Sequence, residues 1–487
     1  MIKKLVITVL FIVSVGFALN TNKYVYIEHI NYQYIDYLIN QGSFLPHSVF
    51  QQPYKLSELP VSCRTENWAY LFGDKRISFL ADYDNSYTVN STGNHHLFAL
   101  TLGGHYCNDD LILGNRFTLN KKYKYDPFFA GDLSESEDWL YGRVNDAYAD
   151  ITVNRFNFFI GRMKKNWGPV NSYGLIRSSH PYSYDHVDIN YRTDFFRFSL
   201  LYSRLEDAGR GREFMGKDST YNEFTDVTKH IMGHRVDVHF SDKFQIALTE
   251  MAIYGGQDRE FELAFANPMT FYYGVQRNEG KGMSGLWCVD VFYKPASKVT
   301  LYGQFLIDDI IVNNDPGVND RGRYPDRFAL MFSIRSGDLL MKGLNTDLSY
   351  VKVWNDTYQS RRTWENYHYE GLGFGYPAVA CEEMQLKLGY WNFYPLFISN
   401  EFIFGRYGDA EITDIFLLQK REFPARPVHS NIYNKFSLHY RPKNYLKIYL
   451  NYEFVQKGGH YLNRLDFLDK HNIEMGLDLL FVKGFFY

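Results

Sequence analysis

Three clusters in the sequence combine aromatic rings with charged side chains, a mixture that suits the recognition of sugars. An aromatic face packs on the apolar side of a sugar ring, while carboxylate, amide and guanidinium groups bond its hydroxyl or acidic groups. The candidate ligand-binding residues in these clusters are Trp139, Tyr272, Tyr273, Arg277, Arg361, Arg362 and Trp364. Aromatic residues also collect at the ends of membrane strands, so each cluster has a structural alternative.

The sequence offers little for catalysis. Ser178-Ser179-His180 places a hydroxyl beside an imidazole in the sequence, but adjacent side chains on an extended segment point in opposite directions, so a nucleophile and its base would not meet without a special turn. His95 and His96 have the same difficulty as a pair of metal ligands. Serine-hydrolase, zinc-protease and phosphate-binding glycine motifs are absent from the sequence. We therefore predict no catalytic residues, no metal and no cofactor, with a hydrolase built from scattered Asp, His and Ser as the alternative.

The C-terminal segment predicts which kind of element positions these clusters. Its apolar side chains share one face and its polar residues share the other: Ile473, Met475, Leu477, Leu479 and Phe481 against Asn472, Glu474, Gly476 and Asp478. A strand exposes alternate side chains to opposite sides, so this pattern suits a wall between lipid and water. The chain then ends on Phe485, Phe486 and Tyr487, an aromatic terminus typical of the strand that outer-membrane barrels present to their assembly machinery.

The N-terminus predicts export. Lys3 and Lys4 precede an apolar run from Leu5 to Phe17, and small residues offer a cleavage point after Ala18. A permanent membrane helix needs roughly 20 apolar residues, and this run is shorter. We predict a signal peptide over residues 1–18 and a protein of the outer membrane.

The rest of the chain predicts an all-β, transmembrane antiparallel barrel. From Arg76 onward the alternation recurs in about 18 segments, and 18% of the residues are aromatic, which fits interfacial girdles. Residues 19–75 differ: Tyr34, Ile35, Leu38 and Ile39 fall on one face of a short helix, which predicts a helical periplasmic or plug segment before a barrel at 76–487. Side chains alone do not fill so wide a barrel, so it is plugged or it conducts.

The charge of the chain bears on its partners. The formal net charge is −3, and without the two lysines of the signal it is 50 basic against 55 acidic residues, or −5. This balance argues against a nucleic acid as the partner.

One stretch of the sequence carries a family resemblance. Gly161-Arg162, then Asn166-Trp167-Gly168-Pro169, then Gly174-Leu175-Ile176, with Ser178, Pro181 and Asp185 beyond, resembles the central motif of Wzi-type capsule assembly proteins. Further similar stretches are Tyr34 to Gly42 with Pro53-Tyr54, and Asn267-Pro268 through Tyr302-Gly303 to Asp308-Asp309. The chain departs from the family where Val170 follows Pro169 in place of a glycine, and in its shorter helical segment.

The resemblance implies an 18-stranded barrel with a lectin-like role, which holds exported polysaccharide at the cell surface. Its partners would be that polysaccharide, outer-membrane lipid and lipopolysaccharide. The family-motif residues, for which we expect mainly structural roles, are Arg162, Trp167, Gly168, Pro169, Asn267, Pro268, Asp308 and Asp309. Trp167 is in addition a candidate for stacking on a sugar. The alternative function is a porin or solute channel, which requires an open lumen.

Overall fold

Eighteen antiparallel strands form one closed barrel, which confirms the predicted fold class and strand number. The computed structural model describes residues 23–27, 31–60, 76–129, 141–205, 227–309, 325–416, 420–443, 445–456, 461–462, 465 and 468–485. The barrel strands are β1 (Ile77–Asn90), β2 (Gly93–Cys107), β3 (Leu111–Asn120), β4 (Tyr141–Val153), β5 (Phe156–Arg162), β6 (Asp185–Arg192), β7 (Phe196–Arg204), β8 (Val227–Ser241), β9 (Phe244–Gln257), β10 (Ser284–Ala296), β11 (Val299–Asp309), β12 (Arg327–Gly337), β13 (Leu344–Val353), β14 (Cys381–Phe393), β15 (Leu396–Tyr407), β16 (His429–Lys443), β17 (Leu446–Val455) and β18 (His471–Phe485).

The first and last strands close the barrel. β1 pairs with both β2 and β18, in a register that puts Ile77 opposite Phe485. The predicted alternation is observed along β18, because Met475 and Phe481 are exposed on the outer wall while Glu474 forms an ion pair with Lys122 inside the barrel. Within the described ranges, no helix has both the length and the apolar character needed to cross a membrane.

The two ends of the barrel differ in the length of their connections. The short turns lie at the same end as the start of β1 and the end of β18. The long connections lie at the other end, together with the two-residue turn between β1 and β2. Short turns face the periplasm and long loops face outward in outer-membrane barrels. Aromatic rings mark the periplasmic edge: Phe240 lies 5.8 Å from Phe195 and 5.6 Å from Phe244, which in turn lies 6.4 Å from Tyr293.

The predicted N-terminal helix is confirmed as α1 (Asn31–Gln41), and it lies inside the barrel. Gly42 ends α1 in a left-handed conformation, with φ of 88°, and its N–H donates to the carbonyl of Leu38. The Asn40 amide donates to Asn345 on β13 over 3.0 Å and accepts from Thr300 on β11 over 2.6 Å. Two further α-helices among the described residues, α2 (Leu263–Ala266) and α3 (Tyr272–Glu279), belong to the connection between β9 and β10. The predicted signal peptide lies outside the described residues and stays a prediction.

Candidate functional site in the barrel lumen

The segment with the family motif turns into the lumen and meets the N-terminal residues. The connection 163–184 pairs as a two-residue strand, Asn166–Trp167, with Gln51–Gln52. The Asn166 amide donates to the Gln52 side chain over 2.6 Å and accepts from the Gly174 N–H over 2.9 Å. We call residues 23–27, 31–60 and 163–184 together the plug, because their side chains bond inward-facing residues of the wall.

Two glycines of the motif allow the plug backbone to fold tightly. A Cβ atom on Gly168 would lie 2.5 Å from the Gly174 Cα, and one on Gly174 would lie 2.3 Å from the Trp167 carbonyl oxygen. Both distances are below any real carbon contact, so a side chain at either position would push the two strands of this loop apart. The Pro169 carbonyl accepts from Asn166 over 3.3 Å. These contacts give Gly168 and Pro169 structural roles.

The Trp167 ring is enclosed by cations. It is 3% exposed, with the guanidinium carbons of Arg177 and Arg235 at 4.9 and 5.6 Å from the ring centroid. Arg235 in turn contacts Asp237 at 3.2 Å and Asp290 at 2.8 Å. In this arrangement the ring has no free face for a sugar, and its contacts support a structural role, with cation–π attraction inside the lumen.

A second buried arginine fixes α1. Arg335 on β12 contacts Asp36 of α1 at 2.9 Å and Asp347 of β13 at 3.0 Å, and it donates to the Val170 carbonyl over 2.8 Å. Burial raises the pKa of Asp36, and the Arg335 charge opposes that rise. One guanidinium therefore joins both segments of the plug to the wall.

The remaining motif residues tie connections to the barrel. Arg162 pairs with Asp185, its neighbour across β5 and β6, at the point where the chain enters and leaves the plug. Asp308 lies 3.3 Å from Arg327 and accepts from the Tyr358 N–H over 2.7 Å, which holds the connection 354–380.

The other Asp and Asn of the motif act locally. Asp309 also lies 3.3 Å from Arg327, and the Asn267 side chain accepts from the Met269 N–H over 3.1 Å, beside Pro268. In the part of the chain that the structure describes, no three His, Cys, Asp or Glu side chains come together as metal ligands.

The predicted sugar-binding residues lie apart from one another. Trp139 is outside the described residues. Tyr272 is fully buried and Tyr273 is exposed, with the Arg277 guanidinium 5.2 Å above the Tyr273 ring, and all three lie on the outer wall. The third cluster lies in the connection 354–380, where Arg361 is exposed, Trp364 is half-buried and Arg362 contacts Glu365 at 3.0 Å.

The structure brings a different set of tyrosines together at the extracellular mouth. They line a cavity of about 600 Å³ between the plug and strands β1–β3 and β16–β18. Its aromatic, charged and amide-bearing lining includes Tyr123, Tyr173, His180, Tyr182, Tyr461, Lys122, Asp126, Asn145, Lys435, Asn451, Glu453 and Glu474. This lining has the mixture of ring faces and hydrogen-bonding groups that sugars require.

The rings at this mouth are held by their neighbours. Tyr123 stacks on Phe129 with centroids 4.7 Å apart, and its edge contact with Tyr182 is 6.2 Å. Tyr182 donates to Asp126, and Arg143 lies 4.2 Å from the Tyr182 ring. Tyr182 and Phe129 are buried, so they form the support for the more exposed Tyr123.

The mouth cavity continues toward the periplasm. A second cavity of about 410 Å³ reaches Gln33 and Asp36 of α1. The two cavities share the lining residues Asp84, Lys122, Lys435, Asn451 and Glu474. Polar space therefore follows one side of the lumen from the mouth to the helix.

Sequence reasoning missed the residues of the mouth. The connection around Tyr123 was visible as an aromatic, charged loop, and Tyr182 directly follows a motif residue, Pro181. Nothing in the spacing indicates that they share a cavity with Tyr461, which contacts Tyr173 and lies in another connection, nearly 280 positions away from Tyr182. These residues come together only when the barrel closes.

Comparisons with known proteins agree with this architecture. Residues 82–319 match the family model described as capsule assembly protein Wzi. Among solved structures, the chain is similar to Wzi of Escherichia coli, described as an outer-membrane protein involved in group 1 capsule assembly and a carbohydrate-binding β-barrel. The identity is 12%, over 94% of this chain and 99% of that chain, with a TM-score of 0.63. The outer-membrane protein OpdK of Pseudomonas aeruginosa is 10% identical over 84% of this chain and 99% of that chain, with a TM-score of 0.48. A search of curated protein sequences found no match.

Proposed function

We propose that this chain, whose residues 82–319 match the model of the Wzi family of capsule assembly proteins, binds exported polysaccharide and holds it at the cell surface. The family description names a role in capsule assembly and no enzymatic activity. A closed barrel with an apolar outer wall is a protein of the outer membrane, so its long connections face the space where capsule accumulates.

The observation that carries this proposal is the tyrosine-lined cavity at the extracellular mouth. Tyr123, Tyr173 and Tyr461 would pack on sugar rings, because none of the three is fully buried. Lys122 and Asn145 would then bond hydroxyl or acidic groups of the polymer. A cleft of this kind is open toward the polymer and needs no catalytic group.

The plug favours the retention of polysaccharide at the surface over the passage of large solutes through the barrel. Its described residues cross the lumen and bond the wall on several strands, as Ser48 does with Asp237 over 2.9 Å and Lys55 with Asp150 over 2.7 Å. A polysaccharide chain would therefore be held from above rather than threaded through the barrel.

A second candidate function, conduction of small ions, is favoured by the shared lining of the two cavities. The continuous polar space is lined by both signs of charge, and Lys122 lies 2.8 Å from Glu474 within it. Planar-bilayer recordings of the purified barrel test this candidate. Stepwise currents carried by small ions, without passage of larger solutes, would support conduction. The absence of any current would contradict it.

The main test deletes the gene in its own host and measures polysaccharide on cells and in the medium. We expect unchanged total polysaccharide and a shift from the cells to the medium. An unchanged partition would contradict retention at the surface.

Point variants then locate the binding surface. Tyr123→Ala and Tyr461→Ala should each reduce cell-bound polysaccharide at equal barrel abundance in the outer membrane. Tyr440→Ala is the matched control, because Tyr440 is an exposed tyrosine on the outer wall, away from the mouth. Equal retention by all three variants would move the binding site elsewhere.

A further inference from the structure

The connection between β9 and β10 folds back over the outside of the barrel. We call residues 258–283, which include α2 and α3, the flap. Its buried residues form a cluster with side chains of the barrel wall: Phe265, Tyr272, Val275 and Met283 of the flap with Met232, Ala252 and Tyr254 of β8 and β9. The flap is thus a packed element and has its own small core.

The wall residues under the flap face away from the lumen. Arg235 and Thr249 face inward, since the Arg235 guanidinium donates to Thr249 over 2.9 Å and to Asp290 over 2.8 Å. Side chains alternate along a strand, so Ala252 shares the outer face with Leu248, which is 57% exposed. The flap therefore covers the outer wall of the barrel.

A buried carboxylate fastens the flap to this wall. Glu250 on β9 accepts from the N–H groups of Tyr272 and Tyr273 at the start of α3, over 3.0 and 3.4 Å. It also accepts from the Trp287 indole over 2.9 Å and lies 3.1 Å from His234. A carboxylate at a helix N-terminus satisfies donors that the helix leaves unpaired. The position of α3 on the wall is fixed by these contacts.

The height of the flap on the barrel places it at the level of the membrane. The aromatic ring of Phe244 marks the periplasmic edge. A strand that rises about 3.4 Å per residue at a tilt of about 40° climbs ~2.6 Å per residue, so an apolar band of about 25 Å ends roughly ten residues above Phe244. Glu250 and Ala252 lie six and eight residues above Phe244, so the flap overlaps the upper part of this band.

The flap exposes several large apolar side chains. Met269 is 89% exposed, Leu263 is 75% exposed and Phe271 is 58% exposed. The Phe271 ring stacks on Trp287 of β10 with centroids 6.1 Å apart, and Val289 continues the exposed outer face of that strand. Adjacent exposed apolar side chains of this size mark a contact surface, and this one is continuous with the lipid-facing wall.

We propose that the flap is inserted in the outer leaflet and that its apolar surface packs against lipid acyl chains. Arg277, an exposed cation beside the exposed ring of Tyr273, lies on the same element, where a long cationic side chain can extend to lipid phosphates. The flap thereby anchors the rim of the barrel laterally. Tyr273 and Arg277 then serve lipid contact rather than sugar recognition, and Tyr272 belongs to the core of the flap.

Site-directed labelling of the full-length protein in phospholipid vesicles tests the proposal. A bimane fluorophore is attached to Met269→Cys, to Leu248→Cys as a wall position in lipid, and to Arg426→Cys as an exposed position in a different long connection. Wild-type protein is carried through the labelling as the blank, because the described native cysteines, Cys107, Cys288 and Cys381, are buried. Quenching is measured with doxyl-labelled lipid and with aqueous iodide.

If the proposal is right, doxyl groups on the acyl chains quench the fluorescence of the label at position 269 as strongly as that of the label at 248. Aqueous iodide should quench the label at 269 only weakly. It is overturned if the label at 269 behaves like the label at 426, with strong iodide quenching and weak doxyl quenching. It is also overturned if added polysaccharide, and not lipid, protects position 269, since the apolar surface would then serve the glycan. Because each variant changes one exposed side chain, all three should keep the barrel fold.

Discussion

The two halves of the lumen use charge in opposite ways. In the filled half, along β4–β13, wall side chains reach across to the plug, as Arg335 does to Asp36. In the open half, along β14–β18 and β1–β3, lysines pair with neighbouring carboxylates, as Lys435 does with Glu453 at 2.8 Å and Lys447 with Asp478 at 2.5 Å. The difference teaches that the filled half is held together by contacts between the wall and the plug, whereas the open half keeps its charges satisfied while leaving room for water or a ligand.

Burial explains why the two halves should respond differently to mutation. The Arg235 and Asp290 side chains are fully buried, whereas the Lys122 side chain is 36% exposed. Removing one partner of a buried ion pair leaves an uncompensated charge in a low dielectric, while exposed pairs contribute little because water screens them. Four predictions test this contrast.

The largest effect is expected for Arg235→Met in the filled half. The substitution leaves Asp237 and Asp290 without their shared cation and should lower the free energy of unfolding by about 3–5 kcal/mol. Urea-induced unfolding in detergent micelles, followed by tryptophan fluorescence, measures the change. Lys435→Met is the control in the open half, and a loss of equal size there would remove the distinction between the halves.

A smaller effect is expected where α1 meets the wall. Gly42 has a left-handed φ of 88°, and an added Cβ would lie 2.6 Å from the Ser297 carbonyl oxygen. Gly42→Ala should therefore destabilise the protein by about 1–2 kcal/mol. Gly274→Ala within α3 is the matched control, because its Cβ would meet nothing closer than 3.9 Å, and there alanine should stabilise the helix by roughly 0.5–1 kcal/mol. Equal effects of the two substitutions would argue that α1 is not fixed at its end.

The barrel could be predicted from the sequence, since each strand carries its own alternation of apolar and polar residues. The helix α1 was predictable for the same reason, as its apolar face and terminating Gly42 are local signals. The site was not, because its contacts join distant parts of the chain: Asp36 and Arg335 are 299 positions apart.

Tyr272 shows that residue types alone do not predict which side chains form a binding site. Beside Tyr273 and Arg277 in a long connection, it has the character of a ligand-binding aromatic residue, yet it is buried in the core of the flap. Whether such a connection projects outward or folds back depends on contacts with other strands, here with Glu250. Residue types alone do not contain that information.

The third prediction concerns the pH dependence of the extracellular side of the filled half. Burial, and then the charge of Lys229, holds the pKa of His368 well below its ordinary value. Below about pH 6.5 the unfolded chain binds a proton that folded His368 does not, so the free energy of unfolding falls as the pH is lowered, by at most about 1.4 kcal/mol per pH unit. Unfolding curves between pH 7.5 and 5 should show a shallower loss for His368→Asn than for the wild type, and identical slopes would assign the loss to other groups.

The smallest effect on stability is expected for Lys122→Met in the open half. This substitution sharpens the comparison between the two halves, because it should reduce polysaccharide binding more than it reduces stability. Lys122 contacts Glu474 at 2.8 Å, and both side chains retain access to the cavity, so the free energy of unfolding should change by less than about 1 kcal/mol. Cell-bound polysaccharide should nevertheless decrease, because the ammonium group lines the mouth. Lys298→Met is the control, since Lys298 lies at the opposite end of the barrel, in the turn between β10 and β11. A large loss of stability with Lys122→Met would mean that the open half is as tightly coupled as the filled half, and its charges would then belong to the scaffold rather than to the ligand site.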